Sequence, residues 1–143
     1  MAHRIARIAL GLAILTVVLA LASPMLLYAV GLHGVAGRPA LPQELASTEK
    51  RIAVWRKARG IGDPVLEPVI PYLYISGLAR TPTVPDPGLL VAWWVASDYN
   101  LEHQRYKGGL WWHLSGAALT IWLTRHWSID QLLSKVAESG GGR

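Results

Sequence analysis

The chain has no cysteine. Disulfides, thiolate nucleophiles and cysteine metal centres are therefore excluded, and nothing about compartment follows except that an oxidising one would do no harm. Phenylalanine is also missing, so the aromatic content rests on seven tryptophans and five tyrosines. No acidic residue precedes position 40, and no charge of either sign lies between Ile8 and Leu32. There is no dense basic stripe, the usual electrostatic footprint of a nucleic-acid binder, so no nucleic-acid partner is expected. No serine stands in a nucleophile elbow, and no phosphate-binding loop or dinucleotide fingerprint occurs. No cofactor is implied by any motif, and no internal repeat is visible.

What is present starts with an apolar run. At 143 residues there is room for one modest domain. The hydrophobic fraction of 52 % exceeds the roughly 45–50 % of soluble domains, and a membrane segment accounts for the excess. The uncharged stretch Ile8–Leu32, at about 1.5 Å per residue, exceeds a hydrocarbon thickness of roughly 30 Å. His3, Arg4 and Arg7 precede it, which favours a cytoplasmic amino terminus and an exported remainder. Ala20-Leu21-Ala22 has the small-x-small form of a signal cleavage site. The apolar run continues past it through MLLYAVGL, so the expectation is an uncleaved anchor over residues 1–32. Pro24 is tolerable within such a helix, with a kink. The remainder carries twelve of the fourteen Lys and Arg against all nine acids, a weak net charge of +3.

The fold class expected is mainly α: a single amino-terminal transmembrane helix plus a small exported helical domain. Glycines between Gly31 and Pro39 suggest a flexible linker over 33–40, with His33 an interfacial side chain. The exported helical domain covers 41–138, and 139–143 is a disordered tail. Leu45, Thr48, Ile52 and Trp55 predict a helix over 41–59, with Pro42 in its first turn and Gly60 as its cap. Its second half gathers Lys50, Arg51, Arg56, Lys57 and Arg59, where positive charge offsets the helix dipole. Lys50, Arg51, Arg56 and Lys57 are either a solvated face or contacts for anionic headgroups or a lipid-linked pyrophosphate. Prolines 68 and 71 forbid a long helix. Residues 69–75 are either extended, with Tyr72 and Tyr74 on one face, or a brief helix after Pro71. Thr81–Gly88 reads as a rigid loop, with Pro87 opening a helix that runs to Arg105 and ends at Gly108-Gly109.

The stretch Gly109–Glu138 organises the rest. Trp111, Leu114, Ala118, Ile121 or Trp122, and Arg125 recur at helical spacing. Ser128 and Gln131 then form a capping box, with Trp127 and Leu132 as its hydrophobic staple. The prediction is helix, corner, helix.

Chemistry-bearing residues are few. Asp98 and Glu102 share a helical face, with Cβ atoms about 5–6 Å apart. Such a pair serves acid–base work on glycosidic bonds or, more plainly, forms a solvated helix end with Arg105 and Lys107 as charge partners. Glu102 and His103 point about 100° apart and suit joint metal ligation poorly, so no metal site is expected. His113 and His126 read as buried neutral side chains bonded to backbone. The tryptophans read as core plus interface, with Trp93, Trp94, Trp111 and Trp112 as interface candidates.

One resemblance emerges over roughly thirty residues. Leu114, Ala117, Leu119, Trp122, Leu123 and Arg125, followed by Ser128, Asp130, Leu132 and Leu133, are similar to a segment of the family 51 glycosyltransferases. These are the peptidoglycan transglycosylase domains of class A penicillin-binding proteins. In that family an Arg-Lys-x-x-Glu motif opens a helix that runs through an apolar stretch to an arginine, then a corner, then Ser-Lys-Asp-Glu-Ile-Leu. Leu89–Asn100 lies about where the family has Gly-Gly-Ser-Thr-Ile-x-x-Gln, with Gly88 and Ala96 in correspondence. The resemblance implies a bacterial cytoplasmic membrane, an exported helical domain, and partners among cell-wall synthesis proteins or lipid-linked glycans. The departures argue against catalysis. Gly116 stands where the family has a glutamate, His113 where it has a lysine, and Trp93 and Trp94 where it has glutamines. The motif Glu-Asp-x-x-Phe-x-x-His-x-Gly is not found. The expected function is a membrane-anchored, non-catalytic transglycosylase-like module that binds a partner or lipid-linked cell-wall glycan. The alternatives are a small glycan-active enzyme using Glu102, with Asp98 assisting, and a structural subunit of a membrane complex.

Overall fold

Proline spacing, capping chemistry and three close-packed glycines decide where the helices begin, end and touch. The computed structural model describes residues 2–74 and 86–140; residues 81–85 of the loop expected over 81–88 and 141–143 of the tail expected over 139–143 lie outside them. The chain is mainly helical. Helix α1 spans Ala2–His33, α2 Thr48–Lys57, α3 Pro87–His103, α4 Gly109–His126 and α5 Ile129–Glu138. Residues 71–74 form one further helical turn, which settles the 69–75 alternatives in favour of a short helix after Pro71.

Within α1, Leu10–His33 is long and apolar enough to cross a membrane, with a mean hydropathy of 2.4. Pro24 removes the N–H that the Ala20 carbonyl would accept. The Ser23 hydroxyl donates to that carbonyl instead, at 2.8 Å, so the helix continues through the proline.

The segment after α1 is not a free linker. Ala36 N–H donates to His103 O and Arg105 N–H to Gly34 O, each at 2.9 Å, forming an isolated antiparallel bridge between Val35 and Gln104. Val35 is buried, and the Tyr99 hydroxyl donates to Ala36 O at 2.8 Å. The glycines expected to give flexibility allow close approach here.

Helix α2 starts seven residues later than its periodicity predicts. The backbone of 41–47 is committed elsewhere: Gln43 N–H donates to Glu138 Oε1 at 3.2 Å and Ala46 N–H to Ser134 Oγ at 2.9 Å. Ser47 caps the helix, and Pro42, expected in its first turn, lies before it. At the other end Arg59, not Gly60, takes the left-handed conformation, at φ 64°. Arg59 N–H donates to Arg56 O and Gly60 N–H to Trp55 O, each at 2.9 Å, a Schellman arrangement. A Cβ at position 60 would overlap the Trp55 ring, so glycine is needed there for space.

Two other ends agree with the sequence. Asp86 caps α3, accepting from Leu89 N–H at 2.7 Å, with Pro87 as the first helical residue. The capping box at α5 is complete: Ser128 N–H donates to Gln131 Oε1 at 2.9 Å and Gln131 N–H to Ser128 Oγ at 3.2 Å. Trp127 and Leu132, the staple positions, both belong to the main buried cluster.

Helix α4 is the centre of the packing, with α1 on one side and α3 on the other; α5 packs on α3, and α2 on α5. The core between them includes Val91, Leu119, Leu123, Leu132, Leu133 and Val136.

Candidate functional site

The junction of α1 and α4 is set by small residues. A Cβ on Gly31 would stand 2.6 Å from the Leu114 carbonyl oxygen and 2.7 Å from Ala118 Cβ. A Cβ on Gly34 would stand 2.6 Å from Ser115 Oγ. The helices therefore meet at backbone distance, which only glycine allows. The turn at 71–74 closes the other side: the Tyr72 hydroxyl donates to Leu21 O at 2.7 Å, and Val69 N–H donates to Thr124 Oγ1 at 3.2 Å.

Between these elements lies a groove of about 300 Å³, lined by Pro24 and Leu27 of α1, Tyr74 of the turn, and Leu110, Ala117 and Ile121 of α4. Its walls are almost wholly carbon. Tyr28 stands at its edge and also lines a second cavity of about 440 Å³, whose polar side chains are His33, Arg38 and Arg105. Among the described residues no carboxylate or amide side chain lines this second cavity. Arg38 Nη1 donates to Leu32 O at 3.3 Å and to Gly37 O at 2.5 Å, and its guanidinium carbon lies 6.0 Å from the Trp122 ring centroid. Among the described residues no ion pair holds Arg38, Arg105 or Arg125.

Burial raises the Tyr74 hydroxyl above the ordinary tyrosine value of 10.0, because the phenolate would lose water. The neutral form is the one the fold favours. This contribution to stability is complete below about pH 10 and is lost as the pH rises through the raised value, since the unfolded chain ionises first. Thermal unfolding of the full chain between pH 9 and 11 should thus fall more steeply than that of Tyr74→Phe; parallel curves would contradict it.

The residues singled out in the sequence are dispersed. Arg51 is half-buried and paired with Asp130 of α5. Lys57 lies 5.9 Å from the Trp94 ring centroid, and Lys50 and Lys57 line a shallow cavity with Ala137, while Arg56 is exposed. These four basic residues do not form one cluster: Arg51 is used to fasten α2 to α5. Asp98 and Glu102 are both exposed and do come together, lining a cavity of about 310 Å³ with Tyr99 and Lys135, walled by Pro39 and Ala40. The charge partners expected for them, Arg105 and Lys107, make no ion pair with them. The Tyr99 and His103 rings stack at 3.8 Å, and His103 Nδ1 lies 3.0 Å from Tyr99 O. Among the described residues no group of three His, Asp or Glu side chains converges as a metal site.

The tryptophans divide by burial. Trp55 and Trp127 are in the core, whereas Trp93, Trp94, Trp111 and Trp112 are half-buried. Trp111 packs on Tyr106 with ring centroids 4.6 Å apart, and Trp112 O accepts from the Asn100 amide at 3.1 Å. The Trp93 ring rests on Gly116, where a Cβ would come within 2.9 Å of it. His113 and His126 are exposed, contrary to the expected burial; His113 lines the groove between α1 and α4. His126 nevertheless bonds to backbone, with Nδ1 2.7 Å from Trp122 O. The sequence reading missed Tyr28, Arg38 and Arg105 as a group. Only the pairing of 34–36 with 103–105 brings Arg38 beside Arg105, and no local pattern announces it.

Compared with protein-family models, curated proteins and solved structures, the chain matches none.

Proposed function

We propose that this chain is a single-pass, membrane-anchored and non-catalytic module that binds a lipid-linked cell-wall glycan at the surface of the bacterial cytoplasmic membrane. Its domain beyond α1 lies on the exported side. The observation that carries this reading is the direct docking of α1 on α4, with the exit segment hydrogen-bonded to residues 103–105. A helix fitted to a bilayer then holds the domain at a fixed height, without a hinge.

The rise from Arg7 to Tyr28 is about 32 Å at about 1.5 Å per residue, close to a hydrocarbon thickness of roughly 30 Å. Tyr28 thus falls at the membrane boundary, a position suited to an amphipathic ring. The cavity of Asp98, Glu102, Tyr99 and Lys135 begins six residues beyond α1, at Pro39. Its carboxylates and ammonium group suit the hydroxyls of a sugar, and both carboxylates are open to solvent rather than enclosed around a reacting bond. The Trp93 ring against Gly116 leaves no space for the glutamate that the transglycosylase pattern places there.

The test uses the full chain in vesicles with a lipid-linked disaccharide pyrophosphate. Binding is expected without glycan synthesis or cleavage, and Asp98→Ala/Glu102→Ala should weaken it about tenfold, the scale of losing charge-assisted hydrogen bonds. Turnover abolished by Glu102→Gln would overturn the non-catalytic reading. Binding unchanged in the double variant would overturn the assignment of the cavity.

A further inference from the structure

The groove and the basic cavity that share Tyr28 lie apart from the Asp98–Glu102 cavity and have a different chemistry. One is lined mostly by carbon, with His113 and Tyr74 as its other polar-bearing side chains. The other presents His33, Arg38 and Arg105 without a carboxylate. Each half alone is unremarkable, but their junction at one side chain makes an amphiphilic site whose polar and apolar parts are in contact. From this we infer that the α1–α4 joint binds one anionic glycerophospholipid of the surrounding leaflet, with its phosphate in the basic cavity and one acyl chain in the groove.

Position supports that occupant. If α1 spans the bilayer, the distance from Arg7 puts Pro24 about 26 Å across the membrane at about 1.5 Å per residue, inside a hydrocarbon layer of roughly 30 Å. The groove beside Pro24 is then at acyl-chain depth, and the cavity above Tyr28 is at headgroup depth. Around the groove Leu110 is 79 % exposed and Leu73 62 %. Such exposure is costly in water and favourable in lipid, so the groove opens sideways onto the leaflet. Charge supports it as well. Arg38 and Arg105 come from two segments joined by the exit pairing and line the same cavity. Guanidinium groups without a carboxylate partner are suited to a phosphate. Among the described residues the cavity offers no amide or carboxylate side chain to accept from sugar hydroxyls, which favours a simple phosphate headgroup over a glycan carrier. A bound lipid would fill the joint that fixes the domain on the membrane.

This inference rests on the membrane-spanning reading of α1, and the two can fail separately. The full chain is reconstituted in bilayer discs of equal phosphatidylglycerol and phosphatidylcholine, and retained lipid is read by native mass spectrometry. Flotation with vesicles is measured in parallel. One retained phosphatidylglycerol is expected, in preference to phosphatidylcholine. Arg38→Gln/Arg105→Gln should lower its retention about tenfold, and Ala117→Phe, which fills the groove, should also lower it. Arg56→Gln/Arg59→Gln, with the same loss of charge on exposed positions of α2, should leave it unchanged. Inorganic phosphate should not displace the lipid. Equal losses in the two arginine pairs, equal retention of both lipids, displacement by phosphate, or preferential retention of a polyprenyl-linked glycan would each overturn the site while the protein still floats. Failure to float would instead remove the membrane reading itself.

Discussion

Gly31→Leu is expected to lower the unfolding midpoint of the full chain in detergent by roughly 10–20 °C, and to do so by separating α1 from α4. The reason is the nature of the obstacle. A Cβ at 31 meets the Leu114 carbonyl at 2.6 Å and Ala118 Cβ at 2.7 Å, and both are fixed parts of α4. No flexible side-chain end can swing away, so the helices must part. Overpacking of this kind costs about 1–3 kcal/mol and occasionally more. For a domain of about one hundred residues each kcal/mol moves the midpoint by about 4–8 °C. Gly31→Ala should fall between Gly31→Leu and the unaltered chain. Gly11→Leu is the control, because a Cβ there meets nothing within 4 Å. Circular dichroism melts of the three variants decide the matter, and a midpoint unchanged in Gly31→Leu would mean that the joint is not held as described.

Trp127→Ala is expected to cost about 3–5 kcal/mol, the range for a large aromatic removed from a core, or a fall in midpoint on the order of 15–30 °C. Trp127 is 6 % exposed and lies in the main cluster. Its N–H closes α4 by donating to Leu123 O at 2.9 Å, while its ring stands one residue before the Ser128 cap of α5. Alanine would keep that backbone bond, so the loss measures the packing of the ring at the corner. Trp122→Ala gives the comparison. Trp122 is half-buried and stacks on the exposed His126 with centroids 4.5 Å apart, so its loss should cost on the order of 1 kcal/mol. Chemical denaturation of both variants measures the difference, and equal losses would contradict the division of the tryptophans into core and surface.

These two positions also show how far the sequence could be read. The corner at Trp127–Ser128 was legible because its chemistry is local: Ser128 and Gln131 satisfy each other's backbone donors three residues apart, and a staple residue stands at each expected position. The start of α3 was legible through Pro87, whose fixed φ suits a first helical turn; the Asp86 cap came from the structure. The glycines at 31 and 34 were visible but misread. In a sequence they signal freedom, whereas here they permit contact with Leu114 and Ser115, some eighty residues away. The start of α2 was misread because Ser134 and Glu138 of α5 take backbone donors of 43–46, a competition that periodicity cannot register. The basic residues of α2 drew notice as a run. Arg38 and Arg105, far apart in sequence, needed the exit pairing to become neighbours.

The account depends most on the height at which α1 holds the domain. The chain has no cysteine, so a single nitroxide can be placed by cysteine substitution without removing a native thiol. Labels at Leu73, Leu110 and Ile61, all exposed, can be compared in the reconstituted full chain for collision with lipid-dissolved oxygen and with a water-soluble nickel chelate. Oxygen should dominate at Leu73 and Leu110, beside the groove, and the chelate at Ile61, which is 95 % exposed on the turn after α2. Equal access of the chelate to all three labels would mean that the domain stands clear of the bilayer, and would contradict the account.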